Sequence, residues 1–567
     1  MNDSARITNQ PHPPVEAGCP SWLPALTAAW LALNGTAALG QGPEPPAARD
    51  EAAARPNIVL IVADDLGYSD LGIFGSEIPT PNIDALARGG MLLTGFHANM
   101  ACSPTRAMLM SGTDSHLAGL GVMGRPFNPA QRGRPGYEGH LNFRVASLAN
   151  LLSDAGYHSY MTGKWHLGGE VETGPIARGF ERAFVSIDGA SHLGGLSWNG
   201  PGQAPYRDDE ELVTVGDDFY SSRFYTERMI EYVQSSRGGG NPFFAYLAYT
   251  APHWPLQAPR ESIARFAGWY DDGYEALYER RLDRMKSLGL VAEEFAGIPP
   301  IAGQPRWDSL SRDERRIEAR KMEIYAAMVS DLDRYIGEFI AYLASIEELD
   351  NTFVFFMSDN GPEATRRDLG AQKDWVDRCC DNSYENLGQG DSYVMYGPNW
   401  ARASSVPFRR AKATAFEGGT HVPAFANYPG VIAPGSRSDA FASVMDVLPT
   451  FLSLAGTAHP GDSYRGRPVL PVKGRSLLPL LSGEAERTHD AQSYMGWELY
   501  GHRAIRQGDW KIVWDPSERD DAAWHLFDLA RDPGEQTDLG AQEPARYAAM
   551  QALWDTYRQA NGVILAP

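Results

Sequence analysis

Cysteine is scarce in this chain: among 567 residues there are four, Cys19, Cys102, Cys379 and Cys380. That is too few for a disulfide framework at this length, and no Cys-x-x-Cys spacing points to zinc. The adjacent Cys379 and Cys380 read as surface thiols, because a bond between neighbours is strained. Positive charge is also short, with 50 Lys and Arg against 71 Asp and Glu, a formal net charge of −21. A uniformly acidic surface repels phosphate, which excludes nucleic acid and anionic membrane as partners. Any anionic substrate therefore requires a local positive pocket. Beyond residue 55 no apolar run is long enough to span a bilayer, so no integral membrane segment is expected. No internal repeat is visible.

What remains is the composition of a globular protein, 43% hydrophobic and 21% charged. The length exceeds one ordinary core and predicts more than one domain. Residues 1–55 differ from the rest. "SWLPALTAAWLALNGTAALGQG" (Ser21 to Gly42) has a short apolar core followed by small residues and a Pro/Ala-rich tract. That is the outline of a secretory signal and linker, although Arg6 is the only basic residue ahead of it; a disordered extension is the alternative. A working signal at 21–42 sends the chain to the periplasm or outside; otherwise it stays cytoplasmic.

From Pro56 the pattern becomes ordered. "NIVLIVADDLGYSD" is a β-branched apolar run that ends in Asp64 and Asp65, a strand buried on both faces. "NPFFAYLAYTAPHWP" repeats the design and ends near His253, and "DNTFVFFMSDNGPE" ends at Asp359, Asn360 and Gly361. Helical patterns lie between them. Val145, Leu148, Leu151, Leu152 and Ala155 share a face, and the segment Met322 to Ile346 aligns Met328, Leu332, Ile336, Phe339 and Leu343. Residues 260–320 and 366–403 read as insertions over the sheet. After about Gly483 short alternating strands and a last helix (Arg546 to Ala560) follow. The fold expected is α/β, a large mostly parallel sheet sandwiched by helices, with a smaller C-terminal α+β domain of antiparallel sheet plus helix. The divisions are 1–55, 56–485 and 486–567.

In parallel sheets ligands sit beyond the carboxyl ends of the strands, where three runs here release polar residues. Asp64, Asp65, Asp359 and Asn360 form an all-oxygen set, suited to a hard cation such as Ca²⁺ or Mg²⁺ rather than zinc. Cys102 opens a helical stretch, "CSPTRAMLMSG", with Pro104 where a first turn tolerates it. A plain thiol beside three carboxylates is a poor nucleophile, since the acids oppose the thiolate. Arg106, Lys164, His166, His253 and Lys412 supply the local positive pocket. Lys164 and His166 alternate, so an extended segment would present both on one side. Trp254 and Trp400 are candidates for an aryl pocket, with core packing the simpler role.

These residues carry a resemblance. "ADDLG" (63–67), "CSPTR" (102–106), "GYHSYMTGKWHLG" (156–168) and "SDNG" (358–361), in this order, resemble the type I sulfatases of the alkaline phosphatase superfamily, bacterial arylsulfatases closely. The likeness runs from about Pro56 to the C-terminus. Ala101, Ser111 and Thr162 depart from the usual signature without removing a chemical group. The resemblance implies a sulfuric ester hydrolase acting on aryl, or alkyl, sulfate monoesters. It implies that Cys102 is oxidised to formylglycine by a formylglycine-generating enzyme acting on the unfolded chain. It further implies one Ca²⁺ held by Asp64, Asp65, Asp359, Asn360 and an oxygen at position 102. Arg106, Lys164 and Lys412 would bind sulfate oxygens or orient the hydrated aldehyde. Asp359 would assist its attack on sulfur, His253 with Lys412 the leaving alcohol, and His166 the final proton transfer. Two rivals stand beside this. One is a phosphodiesterase or phosphonate monoester hydrolase of the same superfamily, whose members commonly carry His where this chain has Asn360. The other is a non-catalytic module that binds sulfated ligands with Cys102 unmodified.

Overall fold

The computed structural model describes residues 55–565, except 125, 127, 190, 198–201, 371 and 518–522. The signal-like segment at 21–42 lies outside the described residues. Among the described residues, ten strands form one sheet. In chain order they are β1 (Asn57–Ala63), β2 (Met91–Leu93), β3 (His158–Lys164), β4 (Arg182–Ser186) and β5 (Tyr206–Asp208), then β6 (Glu211–Val213), β7 (Phe243–Ala248), β8 (Thr352–Ser358), β9 (Ala424–Asn427) and β10 (Ser436–Ser438). Their spatial order is β10-β2-β9-β8-β1-β7-β3-β4-β5-β6. The central run β8-β1-β7-β3-β4 is parallel, with Ile58 level with Phe244 on one side and Phe353 on the other. Strands β5, β6 and β9 pair antiparallel.

The two-residue period of a strand explains why these runs read as continuously apolar. In β1, Val59, Ile61 and Ala63 enter one core while Ile58, Leu60 and Val62 enter the other. β8 divides likewise, Val354 and Phe356 against Phe353, Phe355 and Met357. Helices cover both faces. They include α1 (Pro81–Arg88), α2 (Cys102–Ser111), α3 (Leu148–Asp154), α4 (Ser221–Ser235), α5 (Gly273–Ser287) and α6 (Arg312–Ser345). α2 stops where Gly112 turns left-handed at φ 63. α6 starts ten residues before the apolar stripe does. Ser311 accepts from the Glu314 amide and Glu314 returns the bond, a capping box that holds the charged first turns.

A second sheet of four antiparallel strands, β11 (Tyr494–Leu499), β12 (His502–Gln507), β13 (Trp510–Trp514) and β14 (Trp524–Asp528), precedes α7 (Pro544–Asn561). Ile505, Ile512 and Leu526 pack against Met550, Trp554 and Tyr557 of α7. The other face, with Trp497, Leu499 and Val513, joins the core beneath the large sheet. One expectation is corrected: Cys379 and Cys380 are bonded to each other where a short helix gives way to extended chain. Trp400 takes the simpler role expected of it, fully buried in the core against Tyr270, Tyr274 and Trp307. No described helix is long and apolar enough to cross a membrane.

Candidate active site

Four adjacent parallel strands end at one place. Asp64 and Asp65 follow β1, Asp359 and Asn360 follow β8, His253 follows β7, and Lys164 closes β3. Cys102 and Arg106 come from the first turns of α2, and Lys412 from the loop before β9. Asp64, Asp65, Cys102 and His253 each present a ligand atom within 4.8 Å of the others. His166 does not continue β3 as extended chain. Its backbone is left-handed at φ 54, and a turn rather than strand alternation brings it and Lys164 to the same cavity. Asp65 is also left-handed, at φ 66. Both are positions where the surrounding structure holds a sparsely populated conformation.

Each acid has a cationic partner. Lys164 Nζ lies 2.6 Å from Asp64 Oδ2, and Lys412 Nζ 2.7 Å from Asp65 Oδ1. Arg106 Nε donates to Asp359 Oδ2 at 2.9 Å and Nη1 to the Lys164 carbonyl at 2.8 Å. The Cys102 thiol donates to Asp64 Oδ1 at 3.2 Å. Burial raises the Asp64 carboxyl, but Lys164, His253, Arg106 and Lys412 together hold it well below the ordinary range. Burial pushes Asp65 up to about 7 against the pull of Lys412. Burial and the Asp64 charge push Asp359 upward too. Burial, Asp359 and Asp64 drive the Cys102 thiol well above its ordinary value, so the thiolate is disfavoured. Burial and then Lys164 and Arg106 keep His166 neutral, and burial chiefly does so for His253.

The donor set fits a hard divalent cation. Three carboxylates converge, and Asn360 Oδ1 is buried without a partner among the described residues while its Nδ2 donates to Asp65 Oδ1 at 2.7 Å. Glycine makes this convergence possible at one contact. A Cβ on Gly361 would stand 1.8 Å from the Gly418 carbonyl, where the chain after Asn360 meets the short helix Glu417–Thr420.

Above this floor lies a cavity of about 680 Å³ lined by Cys102, Lys164, His166, His253, Trp254 and Lys412. It also brings in residues that sequence patterns did not single out: Asp188, Glu363, Arg367 and Tyr500. Glu363 stands two residues past the SDNG motif and 3.7 Å from Lys412. His192 Nε2 donates to the His253 carbonyl at 2.7 Å, fixing that loop.

Residues 56–457 match the family model described as sulfatase, and residues 411–560 one described as N-sulphoglucosamine sulphohydrolase, C-terminal. An uncharacterized sulfatase of Schizosaccharomyces pombe is 44% identical over 90% of this chain and 95% of its own. An arylsulfatase of Klebsiella aerogenes is 37% identical over 75% of this chain and 91% of its own. The crystal structure of Ps i-CgsB superposes with TM-score 0.65 at 24% identity, covering 90% of this chain and 94% of that one.

Proposed function

Because the chain belongs to the sulfatase family and so hydrolyses sulfate esters, we propose that it cleaves aryl sulfate monoesters, with formylglycine formed from Cys102 and one calcium ion as its reactive equipment. The observation that carries this reading is the setting of Cys102. It is 1% exposed, at the amino end of α2, between three carboxylates and five basic side chains. A thiol gains nothing there. The hydrate of formylglycine would supply a hydroxyl nucleophile, and calcium held by Asp64, Asp65, Asp359 and Asn360 would offset the charge of the acids.

The chain's own residues then have distinct work. Arg106, fully buried and clamped by Asp359 and the Lys164 carbonyl, holds a fixed guanidinium that would orient the hydrated aldehyde at position 102. Lys164 and Lys412 face sulfate oxygens and offset charge on the transferring group. Asp359, its carboxyl pushed up by burial, accepts the proton of the attacking hydroxyl. His253 stands 3.4 Å from Asp65 beside Lys412 and serves the departing oxygen. His166 is neutral, with Nδ1 buried and unpartnered, and is the acceptor for the last proton. The amide of Asn360 keeps the donor set all-oxygen, which favours calcium and sulfate esters over phosphodiesters or phosphonate monoesters.

The test joins mass analysis of the peptide holding residue 102 to turnover of 4-nitrophenyl sulfate by the wild type and Cys102→Ala. The expected result is an aldehyde in active enzyme and no turnover by the variant. A free thiol in fully active enzyme overturns the mechanism, and faster cleavage of bis(4-nitrophenyl) phosphate overturns the substrate.

A further inference from the structure

Two arginines follow the SDNG motif side by side, and they are treated differently. Arg366 makes a double bond-pair with Asp368, both at 2.8 Å, and reaches toward Glu318. Arg367 has no carboxylate partner among the described residues; its guanidinium lies over the Trp254 indole, 5.3 Å from the ring centre. Trp254 is itself fixed, buried edge-on to Tyr393 and donating from Nε1 to Glu363 at 3.4 Å. Its face is taken, so this tryptophan seats a cation rather than stacking a ligand.

Across the cavity lining comes Tyr500, on the turn between β11 and β12. Its backbone is left-handed (φ 55) and its hydroxyl donates to the Met123 carbonyl at 2.8 Å. Tyr500, Arg367 and Lys412 line one cavity, which runs from the catalytic floor to Arg367, and the phenol lies in the field of both cations. The two lysines lining the cavity each pair with a carboxylate, Lys164 with Asp64 and Lys412 with Asp65. Of the neighbouring acids, Glu363 accepts from the Thr365 amide and Trp254, stands 3.7 Å from Lys412 and feels Arg367 as well, while Asp188 lies in the field of Lys164. A chain of net charge −21 repels a doubly charged ester unless a cation meets it at the mouth.

We propose that Arg367, seated on Trp254, binds an anionic substituent on the leaving group, so that the preferred substrates are sulfate esters bearing a second negative charge. The inference rests on the sulfate-ester reading of the same cavity. A planar fork held against an aromatic face loses little freedom on binding and accepts a carboxylate through two parallel hydrogen bonds.

The experiment compares kcat/KM for 4-carboxyphenyl sulfate and its neutral counterpart 4-carbamoylphenyl sulfate, in wild type, Arg367→Met and Arg367→Lys. Arg367 is exposed and forms no described ion pair, and circular dichroism checks that each variant folds. In wild type the carboxylate ester is preferred, and added salt erodes that preference. Arg367→Met lowers the carboxylate-to-amide ratio about tenfold, mainly through KM. Arg367→Lys restores part of it. A ratio that is the same in wild type and Arg367→Met overturns this inference alone. Failure of the wild type to cleave either ester overturns the sulfate-ester reading and this inference with it.

Discussion

Lys511→Met removes a charge that does not line the cavity, and its cost can be worked out from the surroundings. Lys511 is wholly buried in β13, with Nζ 2.7 Å from Glu417 and 3.0 Å from Glu535. Glu417 keeps other partners, His97 at 2.8 Å and His421 at 2.9 Å. Among the described residues the Glu535 carboxyl then keeps only the Glu417 amide, at 2.7 Å. Burial already pushes Glu535 from 4.5 up to about 7 with the lysine in place. Without the lysine it must be protonated at pH 7. Holding neutral a carboxyl whose unfolded value is 4.5 costs about 3 kcal/mol at that pH, but the wild type, half protonated there, already bears most of it, so full protonation adds only about 0.4 kcal/mol. The deficit comes instead from breaking a buried ion pair by removing one partner, about 3–5 kcal/mol. The sign in pH follows. A carboxyl raised in the folded state binds more protons folded than unfolded, so stability falls as pH rises above 4.5. That slope is shared by wild type and variant, so the variant's deficit at pH 7 exceeds its value at pH 5 by only about 0.4 kcal/mol. Urea midpoints and slopes from tryptophan fluorescence at pH 5 and 7 measure it. Adding Glu535→Gln recovers much of the loss. A deficit under about 1 kcal/mol at pH 7 refutes the reasoning.

Gly361→Ala sets a Cβ 1.8 Å from the Gly418 carbonyl and moves Asn360 against Lys412; aryl sulfate turnover falls about a hundredfold or more, with far-ultraviolet circular dichroism retained. His116 is raised to about 9, since Asp114 at 3.0 Å and Glu498 at 3.1 Å outweigh its burial. Its contribution is complete below pH 6.5 and disappears as pH rises through 9. His116→Gln therefore flattens the urea midpoint between pH 6.5 and 9 relative to wild type. Dialysis against EGTA abolishes turnover, and Ca²⁺ restores it better than Zn²⁺; equal rescue by zinc would count against an all-oxygen ion site.

The centre of the fold was legible because β1, β7 and β8 are buried on both faces, which writes each as an unbroken apolar run with its chemistry at the end. The outer strands were not, since three-residue elements such as β2, β6 and β10 carry no period to read. The first ten residues of α6 are charged and hide from an apolar count, although Ser311 and Glu314 announce the cap. Among site residues, those at strand ends and in the Cys102 segment could be read in advance. Arg367 and Tyr500 could not. One is distinguished from Arg366 only by what it lacks, and the other reaches the cavity from a sheet more than a hundred residues later in the chain. The bond between Cys379 and Cys380 depends on local backbone that composition does not report.

The order of strands also sets a timetable. β1 is made first, yet its neighbours are β7 and β8, and Arg106 waits 253 residues for Asp359. At roughly 5–20 residues per second, the ribosome needs about 13–50 s to supply that distance. Until then α2 has no sheet edge to settle on, and parallel pairing across such separations is slow in any case. Position 102 therefore spends its first tens of seconds on an open chain, within reach of any enzyme that patrols nascent protein. Once β8 docks, the side chain at 102 is buried, 1% exposed, so the formylglycine proposed for this position would have to be made before then.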